Sequence, residues 1–169
     1  MNHRYEKKIN KQGFKQIAGL DEAGRGAWAG PLVAAAVVLR PENKLENVND
    51  SKLLTPNKRK QAFIQITKNC YAWSVGVVEN KEIDRLGLAR ANQLAFERAI
   101  KKLHKPPHYL LVDGRRSFDS NIKNEFIVKG DQKILSIAAA SVVAKVARDE
   151  MLKFLHQEFP DYSFDKHKG

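Results

Sequence analysis

Three apolar stretches of this chain run into acids: Leu20-Asp21-Glu22, Val112-Asp113-Gly114, and Phe126-Ile127-Val128 through Lys129-Gly130-Asp131. In an open α/β sheet, strand ends are where sites assemble, and an adjacent glycine lets another molecule approach the backbone. One such aspartate taken alone reads first as a turn or capping residue. Three of them, with Glu22 as a fourth carboxylate, argue for convergence. Converging carboxylates repel: at ~5 Å and an effective dielectric of ~20, each pair costs roughly 3 kcal/mol. Protonation relieves this, and so does a hard divalent cation. Magnesium and manganese prefer oxygen ligands, and no Cys/His cluster offers a zinc site. Two such ions held close together clamp the attacking and leaving oxygens of a phosphodiester. Asp21 and Glu22 are adjacent, so on a regular strand they point to opposite faces. Both reach one site only where the strand twists or breaks, and Gly24 and Gly26 permit such a break.

The charge balance bears on what such a site would act upon. The formal net charge is +11 over 169 residues. A polyanionic partner, most often nucleic acid, is one reading; a solvated basic surface is the other. At 43% hydrophobic residues the chain can bury a sizeable core as one domain over 1–169. The longest apolar run, Leu32 to Leu39, is too short for a bilayer, and the first residues lack the apolar stretch of a secretory signal. The single cysteine, Cys70, forms no internal disulfide, which fits a reducing cytoplasm.

The elements that would position the acids follow from periodicity and punctuation. Residues 1–15 read as a frayed or strand-like lead-in. Strands are expected over 17–20, 32–39, 71–78, 109–112 and 125–128. Thr55-Pro56 is a helix start, with Thr as N-cap and Pro in the first helical position, and predicts a helix to about Lys68. Leu88, Ala91, Ala95, Ala99 and Leu103 mark one face of a helix over 81–103. A last helix spans 134–158 and closes at Pro160. The sum is an α/β domain, a five-stranded mixed sheet flanked by helices.

Gly19-Leu20-Asp21-Glu22-Ala23-Gly24-Arg25-Gly26, followed by Gly30-Pro31, resembles the opening signature of ribonuclease HII. Asp50-Ser51-Lys52, Ile83-Asp84, Leu111-Val112-Asp113-Gly114, Lys129-Gly130-Asp131, and Ser136 to Ser141 through Ala144 to Asp149 fall in the family's order. The match runs from about residue 17 to 169. The resemblance implies a ribonuclease H-like fold. It also implies endonucleolytic cleavage of the RNA strand of RNA–DNA hybrids, and incision at ribonucleotides embedded in duplex DNA, leaving 5′-phosphate and 3′-hydroxyl ends. By motif, Asp21, Glu22, Asp113 and Asp131 are the catalytic metal-binding carboxylates, for two Mg2+ or Mn2+ ions. Gly24-Arg25-Gly26 contacts the sugar-phosphate beside the scissile bond and reads the 2′-hydroxyl, the group that separates RNA from DNA; the same triplet is also a tight turn. Lys52 corresponds to a phosphate-gripping lysine, or is a loop-surface lysine. Ser141, Lys145 and Arg148 are spaced by four and three and share one helix face. They are phosphate contacts or the helix's solvated face. Asp149 reads as a helix-surface or ion-pair residue rather than a metal ligand.

The resemblance departs at His167-Lys168-Gly169. In the family a tyrosine and further helices follow this motif, and the tyrosine helps enforce recognition of a single embedded ribonucleotide. The expectation is a chain lacking that helical segment, with a weaker preference for a lone ribonucleotide in DNA. The other reading is a catalytically weak or inactive nucleic-acid-binding fragment. Neither membrane association nor an obligate protein partner is expected, and the chain reads as a monomer.

Overall fold

The computed structural model describes residues 3–42, 45, 48, 54–115, 118–167 and 169. Five strands form one sheet: β1 (Ile17–Ala23), β2 (Leu32–Val38), β3 (Ala72–Val78), β4 (Tyr109–Asp113) and β5 (Lys123–Ile127). Their spatial order is β3-β2-β1-β4-β5. β1 pairs antiparallel with β2, and β2 with β3. β4 lies parallel to both β1 and β5. This is the mixed five-stranded sheet expected from the sequence.

The helices are α1 (Arg4–Asn10), α2 (Pro56–Asn69), α3 (Asn80–Leu86), α4 (Leu88–Lys102), α5 (Leu135–Glu158) and α6 (Phe164–His167). Gly130–Gln132 and Pro160–Tyr162 form single 3-10 turns. β2 is Leu-Val-Ala-Ala-Ala-Val-Val and buried at every position, because helices cover the sheet on both faces. On one face Ala18, Leu20, Ala34 and Ala36 pack with Ala95, Phe96 and Ala99 of α4. On the other, Ala35 and Val37 pack with the alanines and valines of α5 and with Ile66 of α2. Small residues allow α5 to lie almost on the strand backbone. A Cβ on Gly19 would sit 2.1 Å from the carbonyl carbon of Ser136.

Four sequence expectations change. The lead-in at 4–10 is a helix, with Ile9 in a small core beside Ile17, Tyr109, Leu111, Ile134 and Ile137. The helix expected over 81–103 is two helices. Gly87 divides them with φ 74°, in the left-handed region that glycine tolerates. β1 extends to Ala23, three residues past its apolar run, and β5 begins at Lys123. Pro160 does end α5, but one more turn and α6 follow it.

Candidate active site

Parallel pairing of β1 with β4 decides the site. The register runs Ile17 with Tyr109 through Leu20 with Val112, so Asp21 and Asp113 step off the last pair side by side. Both continue the alternation of Gly19 and Leu111, on the face covered by α5. Two residues along the strand advance about 6.6 Å. Five residues along the helix advance about 7.5 Å. Starting from the Gly19–Ser136 contact, that matched advance brings Ser141 to Asp21, to which its hydroxyl is hydrogen-bonded.

Asp21, Glu22 and Asp113 line one cavity of about 300 Å³. Ser141 and Lys145 of α5 face them, and Gly24-Arg25-Gly26 forms the rim. Glu22 reaches the same cavity although it neighbours Asp21, because β1 is at its end there and the chain turns at Gly24, with φ 100°.

Burial drives the electrostatics. The Asp21 carboxyl is pushed well above its ordinary range, first by desolvation and then by the charge of Glu22; the Ser141 bond opposes the shift and Asp113 adds to it. The backbone N–H of Glu22 donates to Asp21 Oδ1 at 2.7 Å. Glu22 is also raised, chiefly by burial, against the pull of the Arg25 guanidinium 3.5 Å away. Asp113 Oδ1 accepts the Gly130 N–H at 2.6 Å. Each carboxylate thus has a donor of its own within the chain.

Asp131 lies in the 3-10 turn Gly130–Gln132 and is buried, but it does not line this cavity. Its neighbour Gly130 connects it to Asp113. Among the described residues, no three His, Cys, Asp or Glu side chains stand close enough to hold one ion in common as placed. The donor chemistry of Asp21, Glu22 and Asp113, oxygen only, suits a hard divalent cation. Their spacing is that of side chains turned to separate partners, not of an assembled chelate.

The other expected site residues divide. Arg25 is mostly exposed and paired with Glu22. Gly24 is closely packed, whereas a Cβ on Gly26 would meet nothing within 4 Å. Ser141 is buried in the cavity wall. Lys145 lines the cavity and bonds Asp149 Oδ1 at 2.6 Å; it also lines an adjoining groove with Arg59, Lys60 and Lys153. Of the two readings of Asp149, the ion pair holds, with Arg59 as second partner at 3.5 Å. Lys52 lies outside the described residues.

Arg148 corrects both readings offered for it. It is buried, with Nε donating to the Pro31 carbonyl at 2.9 Å and Nη2 to the Ala29 carbonyl at 2.8 Å. Burial lowers its pKa. Helical spacing does put it on the face of Ser141 and Lys145. The Ala29–Pro31 loop folds over that face one turn beyond Lys145, so Arg148 grips protein backbone instead of phosphate or solvent. Glu6 was not foreseen at all. Its Oε1 accepts the Ser136 N–H at 2.9 Å. The only sequence signal was one acid in a basic segment.

Comparison with known proteins agrees with this fold. The family model described as Ribonuclease HII matches residues 18–169. A ribonuclease HII of Acetivibrio thermocellus is 44% identical over 165 residues, covering 98% of this chain and 64% of that protein. One from Caldicellulosiruptor saccharolyticus is 44% identical over 164 residues, covering 97% and 80%. The chain therefore spans just under two thirds of the first relative's length and four fifths of the second's. The crystal structure of the ribonuclease H2 from Pyrococcus horikoshii OT3 superposes with a TM-score of 0.76 at 30% identity, covering 86% of this chain and 77% of that one. With its strand-end acids, its mixed sheet and a match over almost its whole length, the chain belongs to the ribonuclease HII family.

Proposed function

We propose that this chain is a metal-dependent endoribonuclease that cuts the RNA strand of RNA–DNA hybrids and incises duplex DNA at embedded ribonucleotides. One observation carries the reading: three carboxylates at adjacent strand ends, two of them desolvated, share a cavity with a lysine, in a chain of net charge +11. A cavity of acids alone repels a phosphodiester. The same cavity, charged with divalent cations and set in a basic surface, attracts one.

Asp21, Glu22 and Asp113 would hold the ions, Mg2+ or Mn2+, with Asp131 completing the set from the turn tied to Asp113. Bound there, such ions lower the pKa of water and neutralise charge developing on a phosphodiester. The chain's own groups do the rest. Ser141 orients Asp21 by its hydrogen bond. Lys145 offers an ammonium to a phosphate oxygen at the cavity's edge. Gly26 leaves open space on the rim, so a sugar can approach the backbone, where N–H and C=O groups can hydrogen-bond a 2′-hydroxyl. Arg25 can exchange its exposed pairing with Glu22 for a phosphate.

The test is cleavage of an end-labelled RNA–DNA hybrid with magnesium, with manganese and with chelator. Metal-dependent cuts within the RNA strand, leaving 5′-phosphate and 3′-hydroxyl ends, are expected. Tight binding without metal-dependent cutting would establish a nucleic-acid-binding fragment instead. A duplex with one embedded ribonucleotide, run beside the hybrid, reads the preference between the two substrates.

A further inference from the structure

Helix α5 carries Ser141 and Lys145, yet its own N-cap residue makes no side-chain cap hydrogen bond. Its N-cap position is Ile134, which has no side chain to accept a hydrogen bond from the first turn. The acceptor comes from 130 residues away. Glu6 of α1 is buried, and its Oε1 takes the N–H of Ser136, the second residue of the helix, at 2.9 Å. A carboxylate at that place also meets the positive end of the helix dipole. The grip falls where α5 touches β1: Ser136 is the residue that would collide with a Cβ on Gly19. Two residues further along β1 is Asp21, and five further along α5 is Ser141, its hydrogen-bond partner.

Two more contacts fix α1 itself. The Tyr5 hydroxyl donates to Glu125 on β5, and Ile9 is buried beside Ile134 and Ile137 of the α5 start. The second oxygen, Glu6 Oε2, is buried with no hydrogen-bond partner among the described residues, as is Ser136 Oγ. A side chain whose only role was packing would not place an ionisable group there, since an apolar residue avoids that cost.

We propose that Glu6 is a positioning residue: it caps α5 from α1 and fixes the helix axially against β1, so that Ser141 meets Asp21. The inference rests on the proposed nuclease reading for its kinetic part only. A purely structural Glu6 would change melting temperature and leave turnover alone. A positioning Glu6 changes turnover in protein that is still fully folded.

The experiment compares Glu6→Ala and Glu6→Gln in the full chain, well below their melting temperatures, by kcat and KM on a hybrid and by amide hydrogen exchange over residues 134–145. Gln keeps an oxygen acceptor and should stay within about twofold of the parent. Ala should lose about 10- to 100-fold in kcat, with KM little changed, the scale expected of a small misplacement of reacting groups. Its exchange should accelerate in the first turns of α5. Ser141→Ala added to Glu6→Ala should cost no further kcat, because both act through one contact. If Glu6→Ala does not fold, Glu6→Asp, whose oxygen is withdrawn by one methylene, takes its place. Unchanged kcat and unchanged exchange in the variant, or losses that multiply with Ser141→Ala, would overturn the proposal. A parent protein that fails to cut hybrids overturns the nuclease reading alone, and exchange then still decides whether Glu6 caps α5.

Discussion

The space where Gly24 would carry a side chain is taken by Arg148. A Cβ there would lie 2.4 Å from the guanidinium Nε and 2.7 Å from the Pro31 carbonyl oxygen to which that Nε donates. With φ 100°, the backbone of Gly24 is also in the region that other residues avoid. The glycine that begins the rim of the cavity is therefore fixed by the protein's interior, whatever else it does for a substrate.

Gly24→Ala should accordingly destabilise the fold, by about 1–3 kcal/mol from backbone strain alone, and Gly26→Ala should change stability by no more than about 0.5 kcal/mol. Their kinetic order should be the reverse of what stability suggests. Gly26→Ala, made at an open rim, should weaken hybrid cleavage in a fully folded enzyme. Chemical denaturation of both variants, alongside hybrid cleavage, checks this. Equal destabilisation by the two substitutions would contradict it.

Arg148→Ala should be costly for the same reason. It removes charged donors from the Ala29 and Pro31 carbonyls, the second of them buried and the first partly so, a loss of about 2–4 kcal/mol. Lys145→Ala should do something different. It should lower the slope of log affinity against log salt by about 1, the signature of one lost phosphate contact. Hybrid binding measured by anisotropy across a salt series separates the two. A reduced salt slope in Arg148→Ala, rather than in Lys145→Ala, would reverse the assignment.

Asp21 and Glu22 give the folded protein a pH dependence opposite to that of most carboxylates. Both are raised above their ordinary range, chiefly by burial. Between the unfolded value, about 3.9 for Asp, and the raised folded value, the folded state holds more protons than the unfolded one. The stability they contribute is complete below the lower value and is lost as pH rises through the upper. In chelator, the melting temperature should therefore fall as pH rises from about 4 toward neutrality. Asp21→Asn should flatten that fall and melt higher than the parent at neutral pH, while abolishing cleavage and keeping hybrid affinity. Thermal melts at a series of pH values, with and without magnesium, are the measurement. A parent profile that rises with pH over that range would contradict the electrostatics.

Much of this was legible in the sequence, for physical reasons. The runs at 17–20, 32–39 and 109–112 are apolar without alternation because helices bury both faces of the sheet, and such runs announce themselves. The acids Asp21 and Asp113 stood at their ends, and parallel pairing made them neighbours. What escaped was tertiary. The lead-in Arg-Tyr-Glu-Lys-Lys-Ile-Asn has a single buried apolar residue, Ile9, so no periodicity marks α1 as a helix. Gly87 splits a continuous helical pattern because only a backbone angle distinguishes a break from a tolerated glycine. Helical spacing placed Arg148 on the face of Ser141 and Lys145 but could not show that the Ala29–Pro31 loop would close over it. Asp131 was grouped with the other acids by motif; its turn sets it beside the cavity, not on its wall.

The Gly130 N–H at 2.6 Å from Asp113 Oδ1 limits what that carboxylate can offer. With one lone pair of Oδ1 taken by the loop, Asp113 would offer a metal chiefly Oδ2, as a single-oxygen ligand. Small octahedral ions accept single oxygens and fill their remaining positions with water, whereas calcium often takes both oxygens of a carboxylate. Calcium should accordingly be a poor occupant, binding more weakly than manganese in calorimetric titration. If Asp113 is a metal ligand, the backbone hydrogen bond that closes the 130 turn would thus weigh against the larger ion.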